Sequence, residues 1–346
     1  MTRRILYALL ALGPITVLLS RLGINENLLF VVAAVALIPL AWLIGDATEQ
    51  AAHHTGPGIG GFLNATFGNA PELIIALLAV NEGLTEVVRG SLTGSVVGNL
   101  LLVLGFSLAF GGKGRLDRES SLTSFALVAV ATLAFLAPSI PGFDGDPDRR
   151  SLAELSLWVS IGLLAVYVVV TWISLRRHRQ LHSESEGSTV EHGWSLRKAL
   201  VVLSIATVVT AFVAEALVHS LETFAEAAGL TDFFVAAVIV AIVGNAAEHG
   251  GAVVVAARGN IKLAAEIALA SSAQVAVFLI PAVAILAWAI EPLSLAFRPI
   301  ELIAVGGSVL FASLLLFGGH SSRARGVALI LAYVAVAIAF FLVGDR

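Results

Sequence analysis

Two five-residue stretches of the chain nearly repeat one another, and each puts a carboxylate inside an apolar run. They are Gly68-Asn69-Ala70-Pro71-Glu72 and Gly244-Asn245-Ala246-Ala247-Glu248, at an offset of 176 residues. A carboxylate at membrane depth is costly, so function is its first explanation. Two in matching positions of two halves point to an ion site at a repeat interface. Within each motif Asn and Glu are three residues apart, a spacing that puts both on one helix face. Gly68 and Pro71 weaken the first helix there, because proline withdraws a backbone donor and frees the carbonyl one turn back. Gly244 and the Gly250-Gly251 pair act similarly on the second. Helices broken at the midplane can turn carbonyls toward a cavity.

The donor set is therefore all oxygen: Glu72 and Glu248, the amides of Asn69 and Asn245, carbonyls, and the hydroxyls of Ser95, Ser271 or Ser272. Such a set suits a hard cation, and calcium takes about six to eight oxygens in flexible geometry. Two glutamates match a divalent charge. Sodium needs fewer charges, magnesium dehydrates reluctantly, and zinc or copper calls for histidine or cysteine. Two facing carboxylates in a low dielectric cannot both stay bare and ionised, so without a cation at least one holds a proton. Cation binding then displaces protons and protonation displaces the cation, which is the chemistry of an exchanger.

The elements that must position these groups are membrane spans. Of 346 residues 58% are hydrophobic and 13% charged, against about 25% charged in a soluble domain; mean hydropathy is +0.95. Spans of about 20 apolar residues are expected near 5–20, 28–45, 58–80, 85–110, 120–137, 151–175, 197–220, 231–257, 262–288, 299–317 and 325–343. The first follows Arg3 and Arg4 but lacks a small-residue cleavage pattern, and reads as an uncleaved span. The absence of cysteine excludes disulfides, thiolate metal sites and cysteine nucleophiles. The net charge of −4 comes with no basic stripe for nucleic acid.

With the N-terminus cytoplasmic, 14 of the 20 Lys and Arg residues fall on the inner side, as the positive-inside rule requires. The C-terminus is then outside. The 176-residue offset corresponds to five spans, an odd number, so the second set of five enters from the opposite side. The expected fold is an all-α integral membrane protein of about eleven transmembrane helices. It divides into an extra N-terminal helix (1–27), a first five-helix repeat (28–175), a cytoplasmic linker (176–196) and a second five-helix repeat (197–346). Ser95 and Ser271 keep the offset, each 23 residues after its motif glutamate.

Other residues carry weaker signals. Asn99 and Gln274 are polar within apolar spans. His249 follows Glu248 but points about 100° away along a helix, a poor co-ligand suited to packing, proton access or orienting Glu248. Glu49 and Glu215 are expected at opposite mouths of one pathway. Lys262 and Glu266 read as an interfacial pair. Glu184, Glu186 and Glu191 lie in the linker, whose bland reading is a solvated connection. Asp144, Asp146 and Asp148 resemble the start of a calcium loop but lack its remainder, and read as an exposed loop. No H-E-x-x-H, G-x-S-x-G or Walker-type pattern supports an enzyme.

The assembled residues resemble the cation/proton exchanger branch of the calcium/cation antiporter superfamily. The resemblance rests on G-N-A-P-E at 68–72 and G-N-A-A-E-H at 244–249, with Gly94-Ser95, the run 99–105 and Ser271-Ser272-Ala273-Gln274, and it spans nearly the whole chain. It implies a Ca2+/H+ antiporter working by alternating access, with Glu72 and Glu248 as motif glutamates, Asn69 and Asn245 as motif asparagines, and Ser271 and Gln274 as the serine-glutamine pair. Many relatives carry serine where this chain has Gly98, so Ser95 and Asn99 both stand for that span. Sodium/calcium exchangers share the architecture but carry threonine and serine before P-E; a Na+/Ca2+ exchanger is the alternative and a passive cation channel the different-class alternative. No cofactor is expected. The expected cargo is Ca2+, with Mn2+ or other divalent cations left open, and H+; the expected setting is a prokaryotic plasma membrane, with self-association left open.

Overall fold

Hydrocarbon leaves no bare peptide group unsatisfied, so an apolar chain must close its backbone hydrogen bonds within helices. The computed structural model describes residues 2–143, 146–181 and 193–344 and is helical along almost all of them. The first half holds α1 (Thr2–Leu9), α2 (Leu12–Arg21), α3 (Glu26–Gly68), α4 (Ala70–Asn81), α5 (Thr85–Val97), α6 (Leu104–Gly111), α7 (Arg118–Ser139) and α8 (Arg150–Leu181). The second holds α9 (Leu196–His219), α10 (Leu221–Ala228), α11 (Asp232–Phe234), α12 (Ala241–Gly244), α13 (Ala246–Ala257), α14 (Ile261–Gln274), α15 (Ile280–Ala287), α16 (Pro299–Leu316) and α17 (Arg323–Val343). A two-stranded antiparallel ribbon pairs Gly114 with Ser321 and Arg115 with His320.

Nine described segments are long and apolar enough to cross a membrane. The remaining two of the eleven expected spans, 58–80 and 231–257, are the ones interrupted at the motifs. The expected connection between the second and third spans lies inside α3. As a straight rod its 43 residues would reach about 65 Å, twice the hydrocarbon thickness of about 30 Å. It is not straight. A Cβ on Gly60 would sit 3.0 Å from the carbonyl oxygen of Ala52, whereas eight residues of straight helix span about 12 Å. The axis therefore turns sharply between Ala52 and Gly60.

Contacts among the connections fall into two sets. At one end, Thr223 bonds to Glu26, Arg89 reaches Asp148 at 2.8 Å and the Ser294 carbonyl at 3.4 Å, and Arg298 reaches the Gly344 carbonyl at 2.5 Å. At the other, Gln50 accepts from the Trp194 N–H at 3.0 Å, His54 meets the Trp194 carbonyl at 2.7 Å, and Lys262 pairs with Asp117 at 3.0 Å. We call this second end the linker end. Each contact joins two connections of the same parity, as an alternating path through a bilayer demands. At the linker end the Ser120 backbone N–H, then Lys262, hold the Asp117 carboxyl below its ordinary range. Lys262 also pairs with Glu266 at 3.9 Å, as expected.

The far end is fixed by buried charge. Arg89 is fully buried and meets Glu86 at 2.6 Å as well as Asp148. Arg298 bonds to the fully buried Glu301 at 2.7 Å and lies 3.8 Å from Glu86. Asp148 stays in an exposed loop, as expected, while pairing with the buried Arg89; Asp144 lies outside the described residues, as do Glu184, Glu186 and Glu191 of the linker.

Small residues bring α5 against the second half. A Cβ on Gly90 would be 2.9 Å from the Phe233 carbonyl, and one on Gly94 would overlap the Ala237 backbone. Bare glycines are what let membrane helices approach this closely. Gly94→Ala is therefore expected to cost about 1–3 kcal/mol by overpacking. Gly162→Ala, where a methyl meets open space, should be neutral or gain up to about 1 kcal/mol of helix propensity. Thermal melts of the two purified variants in one detergent measure the difference.

Candidate functional site

Each motif breaks its helix at the asparagine. Asn69 joins α3 to α4 with φ −102° and ψ 18°, and Asn245 joins α12 to α13 with φ −89° and ψ 6°. The ladder then restarts one residue on, with Leu73 N–H on the Asn69 carbonyl at 3.0 Å and His249 N–H on the Asn245 carbonyl at 2.9 Å. Pro71 stands in the first turn of α4, where its missing N–H has no intrahelical partner to lose. Both glutamates fall on the third residue of a half-helix, where the dipole favours a carboxylate. Neither asparagine side chain caps the helix it precedes.

The two halves meet reciprocally at the motif glycines. A Cβ on Gly68 would lie 3.7 Å from Glu248 Oε1, and one on Gly244 would lie 3.2 Å from Glu72 Cγ and 3.7 Å from its Oε1. Each half's bare backbone thus receives the other half's carboxylate, which brings Glu72 and Glu248 within electrostatic reach of each other.

A chain of hydrogen bonds crosses the interface. Asn245 Nδ2 donates to Ser95 Oγ at 2.8 Å and to the Ala241 carbonyl at 3.0 Å. Asn99 Nδ2 lies 3.5 Å from Asn245 Oδ1 and donates to Ser271 Oγ at 3.2 Å. Ser271 Oγ in turn donates to Glu248 Oε2. Ser95, Asn99, Asn245, Ser271 and Glu248 are therefore brought together as the sequence suggested, and Asn69 is buried at the neighbouring break. Glu72 is only 7% exposed, and its Oε2 has no hydrogen-bond partner among the described residues. Glu248 is half-buried. The result is one carboxylate tethered by a hydroxyl and, across the interface, one with an unpartnered oxygen, with the unpartnered amide oxygen of Asn99 in the bond chain that ends on Glu248. These are oxygens with unused lone pairs, the chemistry a hard cation takes.

The local backbone has a matching irregularity in each half. A π-helical turn runs over Gly98–Val103, directly after Ser95, and another over Val275–Leu279, directly after Gln274. The 176-residue offset superposes them almost residue for residue. Such turns are frequent at functional sites, and no periodicity in the sequence announces them. A third, Val235–Val240, precedes α12.

Other expected residues lie apart from this cluster. Gln274 is half-buried on the last turn before its π segment. His249 has a buried Nε2 without a partner among the described residues. Glu49 is exposed at the linker end beside His53, 3.9 Å away. Glu215 is exposed in a cleft of about 230 Å³ with Arg21 and His219, between α2, α3 and α9. Sequence reasoning missed the buried cluster of Glu86, Arg89, Arg298 and Glu301; its signal was two arginines and two glutamates at i, i+3 spacing beside span ends. It also missed Asn64, one helical turn before Gly68.

Truncating Asn245 to alanine leaves Ser95 without its donor and Asn99 with one partner fewer. A loss of about 1–3 kcal/mol is expected for stranding buried polar groups, read as a lowered melting temperature of the cation-free protein.

Comparison with known proteins places this site in a family. The model of the sodium/calcium exchanger protein family matches residues 27–176 and 198–342. The Ca(2+)/H(+) antiporter ChaA of Bacillus subtilis is 39% identical over 98% of this chain and 99% of its own. The Ca(2+)/H(+) antiporter of Synechocystis is 37% identical over 98% of this chain and 97% of its own. The solved structure of native YfkE superposes with a TM-score of 0.85 at 36% identity, covering 98% of this chain and 99% of that one.

Proposed function

This chain belongs to the sodium/calcium exchanger protein family, within its cation/proton exchanger branch, and from that premise we infer that it is a secondary active antiporter exchanging Ca2+ for H+. The observation that carries the mechanism is the reciprocal seating of Glu72 on Gly244 and Glu248 on Gly68. The two half-helix breaks then bring both carboxylates to one interface, and a cation bound there is reached by both repeats.

The exchange follows from charge balance. With Ca2+ between them, both glutamates are ionised and neutralised, and Asn69, Asn245 and the hydroxyls of Ser95 and Ser271 supply neutral oxygens. When Ca2+ leaves, two facing carboxylates in a water-poor site take up protons in its place, one on each for full neutrality. Each state is neutral enough to be carried through the occluded form. A bare, fully ionised pair is not, so uncoupled leakage is disfavoured. The division into an N-terminal helix (1–27), repeats at 28–175 and 197–346 and a linker at 176–196 fits this reading, because an odd number of spans per repeat turns the same motif toward opposite faces.

The setting is a bacterial plasma membrane with the linker end cytoplasmic and the C-terminus outside. The support is the excess of Lys and Arg at that end, including Lys113, Arg115, Arg118, Lys198, Arg258 and Lys262. Glu49 and Glu215 stand at opposite ends and serve as outlying anionic groups of the two faces, and Gln274 and His249 flank the site. Mn2+ is a plausible second cargo on the same oxygen set.

Ca2+ added to energised inverted vesicles is expected to dissipate the pH gradient without sodium. Glu72→Gln and Glu248→Gln should each reduce that exchange to the background of empty vesicles at normal expression. Near-normal exchange by either variant would remove that glutamate from the site. Exchange that requires a sodium gradient would instead favour the sodium-coupled alternative, and Ca2+ flux without proton movement at zero voltage would favour a channel. Replacing Ca2+ by Mn2+ in the same assay tests the second cargo.

A further inference from the structure

The two halves of the site are alike at the motifs but not one turn before them. At Gly68 two oxygens from different helices converge: a Cβ there would be 3.7 Å from Glu248 Oε1 and 3.9 Å from Asn64 Oδ1. At Gly244 the three nearest atoms all belong to Glu72. The offset of 176 maps Asn64 onto Val240, which is buried and apolar. The first half thus carries an amide near the glycine that seats the opposite carboxylate, and the second half offers a valine.

The surroundings give this asymmetry a direction. Asn64 is exposed, and so are Gly250 and Gly251 just beyond the half-buried Glu248, while Glu72 is nearly enclosed. Asn64 lies on the stretch of α3 between the bend after Ala52 and the break at Asn69, the stretch that leads in from the linker end. Ser271 occupies Glu248 Oε2, which leaves Oε1 as the oxygen turned toward Gly68 and Asn64.

We propose that Asn64 is a Ca2+ ligand of one access state only: its amide oxygen and Glu248 Oε1 take the cation as it sheds water from the linker end, before Glu72 completes the site. The inference rests on the exchange reading above and adds a sidedness to it. From the opposite face the cation meets no such amide, because Val240 stands at that position. The linker end therefore has the higher apparent affinity for Ca2+, and Asn64 is the source of the difference.

The test measures the apparent KM for Ca2+ from each side, in inverted and in right-side-out vesicles carrying the full chain. Asn64→Ala is expected to raise KM from the linker end roughly tenfold, the lower range for losing a contact to a charged group, and to leave KM from the other side within about twofold. Asn64→Asp, which keeps an oxygen at the position, should restore most of the loss. Asn64→Leu provides a second reading should Asn64→Ala fail to accumulate. It removes the amide oxygen while keeping side-chain bulk at an exposed position, and the same one-sided rise is expected. An unchanged KM, or an equal rise from both sides, overturns the assignment. Wild-type vesicles that fail to exchange Ca2+ for protons would overturn the exchange reading itself, a result distinct from either.

Discussion

Two carboxylates share a space from which most water has been removed, and neither can be charged there without a partner. Coulomb repulsion between unit charges is only about 1 kcal/mol at 4 Å in water but several-fold larger at the effective dielectric of a protein interior. The rest of the molecule answers that constraint. Half-helix N-termini carry Glu72 and Glu248 in their first turns, the amides of Asn99 and Asn245 join the hydrogen-bond chain that ends on Glu248, and the deep burial of Glu72 keeps water from relaxing the requirement. On the exchange reading, a site that is stable only when a cation or a proton occupies it needs no separate device to couple the two.

Much of this could be read from the residue string because the informative features were violations. Glu72 and Glu248 stand out against an apolar background, and their common offset links the halves before any helix is placed. The same offset correctly paired Ser95 with Ser271. What stayed hidden depends on local geometry that composition does not encode. The π-helical turns after Ser95 and Gln274 differ from α-helix by one hydrogen-bond register and leave no periodic signature. The bend in α3 replaces an expected loop, since the axis turns between Ala52 and Gly60 without ending the helix. The broken helices at Asn69 and Asn245 keep two of the expected spans from appearing as continuous rods. Arg89 reads as a residue at a span boundary, and only the fold brings Asp148 and the Ser294 carbonyl to it.

Glycine carries the close approach that the site requires. Gly68 and Gly244 receive the opposing carboxylates, while Gly90 and Gly94 bring α5 onto the backbone of the segment that leads to Asn245. Ser95 sits one residue past Gly94 and reaches Asn245 because of that approach. The hydrogen-bond chain is thus a product of missing side chains as much as of present ones.

The two ends of the molecule hold corresponding ion pairs of opposite polarity. Glu86 near the start of α5 faces Arg298 before α16, and Lys262 near the start of α14 faces Asp117 before α7. The offset of 176 equates Glu86 with Lys262, so each pair joins a site-bearing helix to the first residue before a helix of the other half. Their environments differ. The side chains of the first pair are 20% and 7% exposed and are joined by Arg89, Asp148 and Glu301; those of the second are 34% exposed at Asp117 and 55% at Lys262. An exposed pair contributes little, about 0–1 kcal/mol, whereas separating a buried network strands charge at about 3–5 kcal/mol. The linker end is therefore the easier one to part. Glu248 is the less buried motif glutamate, and the exposed Asn64 stands beside it on the approach from that end. The weak pair, the more accessible carboxylate and the exposed amide thus fall on the same side.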